Sequence, residues 1–482
     1  MAQTFEKKEL KKKSENLSDW YTDVVLKAQL ADYAPVKGAM VIRPYGYAIW
    51  ESVQEIMNRF MRGAGVENAY FPLFIPYSLL EKEKEHVKGF SPELAIVTIG
   101  GGEKLKDPLV VRPTSETIMY EMYRKWIHSW RDLPLLINQW NNVIRWEKRT
   151  YLFLRTMEFL WHEAHTAHED EKGAIDMCLE ALSWYKSIYE EYYAIPVIVG
   201  TKSTSEKFAG AQTTYTVEML MPDGKALQGA TSHNLAQNFS VPFEIKFQSR
   251  QGREDFVWQT SWAITTRSIG ALVLTHGDDN GLILPPKIAP IQVVIMPIHK
   301  KDQDGKLLTA YCQDAKETFQ NGGVRVRLDD RQEPSVGRRF NEWEVKGVPV
   351  RLEVGQNELN DRTVTIVRRD SGEKRTVTRD AMLVEVEKIL KDMQAGLFAK
   401  AKKFLDENTR SVDSYEEFKK IMKSSRGMIR ALWCEDAVCE TKIKEETKAS
   451  TRCLTLDAPK EQGKCVFCGK AAVHRWIFSQ AY

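Results

Sequence analysis

No stretch of this 482-residue chain stays apolar for the roughly 18 residues that a membrane-spanning helix needs. Excess charge of one sign is also missing. The formal balance is +3, so any polyanion partner must be held by a local basic patch and not by a global field. Internal repeats and low-complexity tracts are absent, which excludes solenoids and compositional linkers. The lysines near the start (Lys7, Lys8, Lys11, Lys12, Lys13) have no apolar segment behind them, so they do not read as a secretory signal. The default compartment is then the cytosol, where thiols stay reduced. Cysteine is sparse and uneven: five of seven (Cys434, Cys439, Cys453, Cys465, Cys468) fall at or beyond position 434. Such clustering in a reducing compartment points to a metal, not to disulfides.

What is present is a globular composition, 43% hydrophobic and 28% charged, in three textures. Residues 1–286 mix helices and strands in no regular βαβ order. Tyr45 to Gly63 has apolar residues at Ile49, Val53, Ile56 and Phe60, the spacing of an amphipathic helix. Strand signals fall at 69–74, 95–99, 109–112, 143–147, 156–163, 213–219, 226–234 and 283–284, with a helix over 172–193. This reads as an α+β domain of antiparallel pairs. Pro285, Pro286 and Pro290 punctuate a boundary. Residues 287–405 then alternate strands (291–296, 324–328, 350–354, 363–367) with helices (307–320, 380–407), as an α/β module does. Residues 406–482 hold the cysteine cluster and a helix at 415–422, as expected of a small metal-stapled domain.

Five segments within the first 286 residues carry chemistry, and a cysteine motif follows near the end. The first is Gly65–Asn68 running into Tyr70-Phe71-Pro72, which by itself fits any edge strand. In Arg112-Pro113-Thr114-Ser115-Glu116, Thr114 and Glu116 are two residues apart on an extended segment and share a side. They suit a cationic amine held by charge-assisted hydrogen bonds. The same residues suit a helix start with Thr114 as N-cap, and the two readings are compatible. Arg145-Trp146-Glu147 and Phe153-Leu154-Arg155-Thr156-Met157-Glu158-Phe159 put two arginines on two strands joined by a turn. Guanidinium forks there match phosphate oxygens. Charged residues beside Phe159 and Trp161 are odd for a core strand and suit a pocket floor. His162, His165 and His168 offer a zinc site as a rival, but the spacing departs from HExxH. In Gln228–Asn234, small residues flank polar ones, so backbone can approach a ligand. Arg267 opens an apolar helix and must meet an acid or a phosphate. Finally, Cys434-x4-Cys439 and Cys465-x2-Cys468, separated by 25 residues, are two close thiol pairs of the kind that bind tetrahedral zinc. Cys453 lies outside both pairs.

Taken in order, these segments resemble the signature motifs of class II aminoacyl-tRNA synthetases. The wording RPTSE, FLRTMEFLWHEAHTAH and GATSHNLAQNFS is similar to that of prolyl-tRNA synthetases, over essentially the whole chain. The resemblance implies a class II antiparallel-sheet catalytic domain (1–286), an anticodon-binding domain (287–405) and a C-terminal zinc domain (406–482). It implies activation of L-proline by ATP with magnesium, then transfer to tRNA(Pro). Arg145 is expected on the α-phosphate, with Arg155 and Arg267 on the remaining phosphates. Glu147, Thr156, Gln228 and Thr265 would line the nucleotide site, with Phe159 stacked on adenine and Thr231 near the ribose. Thr114 and Glu116, with Arg145 nearby, would take the imino group of proline. Trp161, Glu163, Phe208 and His233 would wall its ring. Cys434, Cys439, Cys465 and Cys468 would hold zinc.

Arg325, Arg327, Arg338, Arg339, Lys346 and Arg351 are expected to form a basic surface for tRNA, with Phe340, Glu342, Trp343 and Lys346 reading the anticodon. An ordinary amphipathic helix is the alternative there. The N-terminal lysines read as a solvated, mobile arm, with a tRNA contact as the alternative. A homodimer through Tyr47 to Pro72 is expected. Tyr482 resembles a family feature in which the terminal carboxylate reaches toward the active site. Too few residues separate the second and third motifs for an editing insertion.

The chain departs from the family pattern at His162 and Ala164, where glutamine and glycine are expected. It departs again at Gln356-Asn357-Glu358, where a Pro-Arg-Asp turn is expected. Rival readings are a synthetase for threonine, histidine or glycine, a non-catalytic paralogue, and a zinc nucleic-acid-binding protein. RPTSE and the cysteine tail argue against the first, the three arginines against the second, and the first 286 residues against the third.

Overall fold

The computed structural model describes residues 10–84, 94–299 and 305–482. Lys7 and Lys8 lie outside the described residues. The expectation of a mobile lysine arm does not hold for Lys11 to Lys13. Lys11 pairs with Asp19, Lys12 with Glu15, and the Lys13 amine donates to the Leu274 and Gly277 carbonyls at 2.7 Å.

The named elements are helices α1 (Leu17–Lys27), α2 (Pro44–Gly63), α3 (Glu116–Trp126), α4 (Glu171–Ser187) and α5 (Arg267–His276) and strands β1 (Leu135–Ile144), β2 (Glu158–His168), β3 (Ile198–Thr201), β4 (Thr213–Leu220), β5 (Ala226–Ala236) and β6 (Trp258–Thr265). The strands lie in the order β3-β4-β5-β6-β2-β1, each pair antiparallel, with Glu67–Asn68 along the far edge. α2 starts with Pro44 at its first turn, where a missing N–H costs nothing. It buries Ile49, Val53 and Ile56 in the largest core. α4 packs across β5 and β6, closing one face of the sheet. The other face is open and carries the cavity described below.

Several sequence expectations shift. Residues 69–73 and Ile283–Leu284 are not strands. The latter is an extended connector whose neighbour Leu282, and Leu284 itself, donate to the Val345 and Gly347 carbonyls. β1 ends at Ile144, so Arg145 and Arg155 sit in the loop before β2 and not on strands. Thr114 is not the N-cap of α3; Ser115 holds that place.

The next unit has strands β7 (Val293–Pro297), β8 (Val326–Leu328), β9 (Val350–Val354), β10 (Thr363–Arg368) and β11 (Lys374–Thr378), ordered β8-β7-β9-β10-β11. β7 is parallel to both neighbours and the remaining pairs are antiparallel. Helices α6 (Lys306–Asn321), α7 (Val336–Val345) and α8 (Met382–Glu407) accompany it. Asp278 pairs with Arg369 at 2.9 Å, joining this unit to the first.

The last segment does not stand apart. Its strands β12 (Thr409–Ser411), β13 (Met428–Trp433), β14 (Ala449–Thr455) and β15 (His474–Gln480), with helices α9 (Tyr415–Lys423) and α10 (Ala437–Thr447), extend the first sheet. β14 pairs with β3 through Leu454↔Thr201 and Thr455↔Gly200, giving an eleven-stranded sheet among the described residues. Gly200 is obligatory at this junction, because a Cβ there would lie 2.2 Å from the Leu454 carbonyl oxygen.

Candidate active site

The open sheet face holds a cavity of about 340 Å³. Strand periodicity selects what enters it. On β2 the odd positions Phe159, Trp161, Glu163 and His165 line the cavity. His162 points the other way and hydrogen-bonds Asn138 (2.7 Å) and Tyr185 (2.9 Å). The His162/His165/His168 zinc site is therefore not formed: the first two side chains face opposite sides. The departure at His162 is a packing change beneath the sheet, against Trp140 and Trp262. Ala164 is fully buried.

Thr114, Glu116, Arg145, Glu147, Arg155, Thr156, Phe159, Trp161, Glu163, Phe208, Gln228, Thr231, His233, Thr265 and Arg267 all line this one cavity. One end is acidic and enclosed. The Thr114 hydroxyl donates to Glu116, which is 5% exposed. Glu163 lies beneath them with both oxygens committed. It accepts from the Ser115 amide (3.0 Å) and hydroxyl, Asn141 (2.7 Å), Gln139 (3.4 Å), Thr114 (3.4 Å) and His165 (3.3 Å). Burial alone would raise its pKa; the donors, His165 first, outweigh that and hold it at about 2. Glu163 thus braces the Thr114–Glu116 turn. Its filled coordination also argues against a metal at the Glu116, Glu163 and His165 trio. Arg112 has a similar bracing role, bonding the Phe71 and Asn142 carbonyls at 2.8 Å.

Trp161, Phe208 and His233 complete this end. Thr214 accepts from the Phe208 amide (3.0 Å) and bonds His233 Nδ1 (2.9 Å), and the Phe208 ring lies 5.1 Å from the imidazole. Burial, with the His165 charge, pushes His233 down to about 3, so it is neutral at physiological pH.

The other end is cationic. The Arg145 guanidinium lies 5.4 Å from the ring centres of both Phe159 and Trp161. Arg155 reaches Glu147 at 2.6 Å, and Arg267 bonds the Leu154 carbonyl at 3.0 Å. Burial works against the Arg267 charge, and Arg145 and Arg155 repel it further. Gly229 lets the backbone of β5 sink here, since a Cβ would meet the Tyr189 ring at 2.7 Å. Glu206 and Lys207 also line the cavity. Sequence reasoning missed them because their loop carries no periodicity.

Elsewhere the candidate residues fare differently. The Cys434 sulfur is 3.6 Å from those of Cys439 and Cys468, and all four sulfurs lie within 4.8 Å of one another. A zinc tetrahedron with 2.3 Å bonds has edges of about 3.8 Å, so the set fits. Cys453 is buried away from it on β14. Tyr482 reaches back to β5, its amide donating to the Ala226 carbonyl, but it does not line the cavity.

The expected basic tRNA surface is partly wrong. Arg339 is buried, donating to the Asp329 and Pro297 carbonyls, whereas Arg325 is exposed but commits its guanidinium to the Ala289 and Pro286 carbonyls. Trp343 is buried with its indole N–H on Asp329 (2.7 Å). Arg351 covers Phe340 at 4.2 Å, and Glu342 is paired with Arg331 at 2.9 Å. Arg327 and Arg338 are exposed, and Lys346 is half-buried over Trp343. Gln356–Asp361 forms a short helix in which Glu358 caps the Gly355 amide at 2.9 Å.

An antiparallel sheet with an arginine-lined cavity, joined to a mixed α/β module, defines a class II aminoacyl-tRNA synthetase. Residues 98–276 match the family described as tRNA synthetase class II core domain (G, H, P, S and T), and 292–389 match the anticodon binding domain. Residues 415–482 match the family described as prolyl-tRNA synthetase, C-terminal. The proline–tRNA ligase of Natranaerobius thermophilus is 51% identical over 96% of this chain and 95% of its own. The proline–tRNA ligase 2 of Bacillus cereus is 48% identical over 98% of each. The crystal structure of prolyl-tRNA synthetase from Cryptosporidium parvum, complexed with halofuginone and AMPPNP, superposes with a TM-score of 0.94 at 41% identity, covering 98% of this chain and 97% of that one. The chain belongs to the prolyl-tRNA synthetase family.

Proposed function

We propose that the protein joins L-proline to tRNA(Pro) in two steps, and that the cavity performs the first. One observation carries this reading. Three guanidiniums converge on one cavity, and Glu147 supplies the closest ion pair among them. At the cationic end these three face one carboxylate, Glu147, and the two less exposed guanidiniums, Arg145 and Arg267, are costly to keep charged unless a polyanion enters. ATP supplies it. The proline carboxylate attacks the α-phosphate, a P–O bond forms, and pyrophosphate leaves. The nucleophile is already anionic, so the protein aligns and neutralises and needs no base.

Arg145 lies between the two ends of the cavity and takes the α-phosphate and the proline carboxylate. Arg155 and Arg267 take the outer phosphates. Phe159 offers a face to adenine. Glu147, Thr156, Gln228, Thr231 and Thr265 supply polar contacts to the nucleotide. Thr114 and Glu116 accept the two N–H donors of the prolyl ammonium, while Trp161, Phe208 and His233 wall the ring. Magnesium keeps several waters and takes one or two carboxylates. Glu147, at the rim, fits that role, and the ion would neutralise phosphate charge.

The chain is proposed to divide at 1–286, 287–405 and 406–482, the middle unit binding the anticodon and the last sharing the sheet of the first. It is proposed to work in the cytosol. Among the described residues, no helix is long and apolar enough to cross a membrane. A homodimer through 47–72 is supported by Tyr70, 73% exposed, and Tyr47. Light scattering giving a 55.5 kDa particle would overturn it. Zinc at the four cysteines is supported by the sulfur geometry. Metal analysis should find one zinc per chain, and Cys465→Ser should lose it and unfold several degrees earlier.

The decisive test is proline-dependent ATP–pyrophosphate exchange beside threonine, histidine, glycine, alanine and cysteine. Proline should dominate. Alanine and cysteine should give weak exchange, because an apolar pocket discriminates by only about 1–3 kcal/mol per methylene. The stretch 169–257 holds α4, the helical turn Ile188–Tyr192, β3 to β5 and the hairpin Lys246–Gln248/Glu254–Phe256, which supports the reading that it carries no editing insertion. Exchange with no amino acid would sink the reading.

A further inference from the structure

The loop between β3 and β4 carries Glu206, Lys207 and Phe208 into the cavity, and its root is held from outside the catalytic unit. Ser203 is 3% exposed. Its hydroxyl donates to Glu440 at 2.9 Å and lies 3.0 Å from Thr451 Oγ1, which also bonds Glu440. The Ser203 carbonyl accepts from the Lys207 amide (2.9 Å) and the Glu206 amide (3.2 Å), which turns the chain toward the cavity. Just before it, Lys202 pairs with buried Glu218 at 2.6 Å, and Arg452 of β14 holds the same carboxylate at 2.8 Å. Farther along, Lys444 of α10 reaches Glu206 at 2.9 Å.

Glu440 is an unusual residue to bury. It is 3% exposed, no cation pairs with it among the described contacts, and its second oxygen meets no partner. A carboxylate so placed is poor for stability alone, since burying charge without full compensation is costly. It sits on α10 next to Cys439, so the cysteine cluster fixes where its side chain begins. The neighbouring α10 and β14 thus set the height of the loop that walls the acidic end of the cavity.

We infer that Glu440 is a positioning residue for proline, acting through Ser203 to hold the Phe208 wall against the ring pocket. The inference rests on the proposed function for its kinetic readout. Steady-state exchange with Glu440→Ala should raise KM for proline about tenfold, while KM for ATP and kcat stay within about twofold. Ser203→Ala removes that contact from the loop side, together with the bonds its hydroxyl accepts from the Glu206 amide (3.2 Å) and Thr451, and should raise KM for proline at least as much. Glu440→Gln keeps an acceptor for Ser203 and should restore KM to within about twofold of wild type. Zinc content should be unchanged in all three.

Hydrogen exchange supplies a readout that needs no activity. Amides of 206–208 should lose protection in Glu440→Ala and Ser203→Ala, while β13 and β15 keep theirs. The idea is overturned if both variants keep wild-type loop protection. It is also overturned if kcat and both KM values change together, or if only Glu440→Ala shows an effect and has lost zinc. Wild-type protein with no proline exchange would defeat the functional reading and leave the hydrogen-exchange result to decide the contact.

Discussion

The cavity and the α7 surface contain arginines in similar number, yet they use them in opposite ways. In the cavity, Arg145 and Arg267 each donate one N–H to a backbone carbonyl, and no further hydrogen bond from either guanidinium is formed among the described residues. Around α7, Arg339 donates to the Asp329 and Pro297 backbone carbonyls and Arg331 to the Asp329 carboxylate, which also takes the Trp343 indole. The first set keeps donors free beside the cavity, as the proposed nucleotide site requires; the second staples a helix to a sheet. An arginine's role is therefore read from its remaining donors, not from its presence.

The strongest way to break this contrast is paired truncation. Arg145→Ala should reduce exchange by at least about 10³-fold with the unfolding midpoint nearly unchanged. Arg339→Ala should instead cost about 3 kcal/mol of stability and leave the activity of the folded fraction near wild type. The reverse pattern in urea titration and exchange would refute the comparison.

Acid sharpens it. Glu163 and Asp329 both have depressed pKa values, each about 2 against ordinary values of 4.5 and 3.8. Their contributions are complete above those ordinary values and vanish as pH falls toward 2. Asp329→Asn should flatten acid unfolding of the 287–405 unit, followed by hydrogen exchange, while Glu163→Gln should flatten it around β2. If each variant altered the other region instead, the two carboxylates would not be local staples.

The smallest effect concerns tRNA. Arg327→Ala or Lys346→Ala should weaken tRNA binding several-fold and reduce its salt slope by about one, leaving proline exchange untouched. An unchanged slope would remove this face from the tRNA path.

How much was legible follows from the same contrast. Cavity residues were readable because strands expose alternate positions, so charges beside Phe159 and Trp161 stood out against an apolar rhythm. Arg339 and Trp343 of α7 were misread because an amphipathic helix carries polar side chains whether they face solvent or pack against a neighbour. The family resemblance supplied the role of each cavity residue; periodicity supplied only that they share a side.

The sequence by itself determined the strand and helix periods, the order of the motifs, the paired cysteines and the family. These are local or ordered along the chain. Tertiary structure alone decided that Glu163 is a brace with filled oxygens, that Arg339 and Trp343 are internal, and that β14 joins β3 so that Glu440 reaches Ser203. Ser203 and Glu440 alone are 237 positions apart, and no local pattern records which buried group will face which.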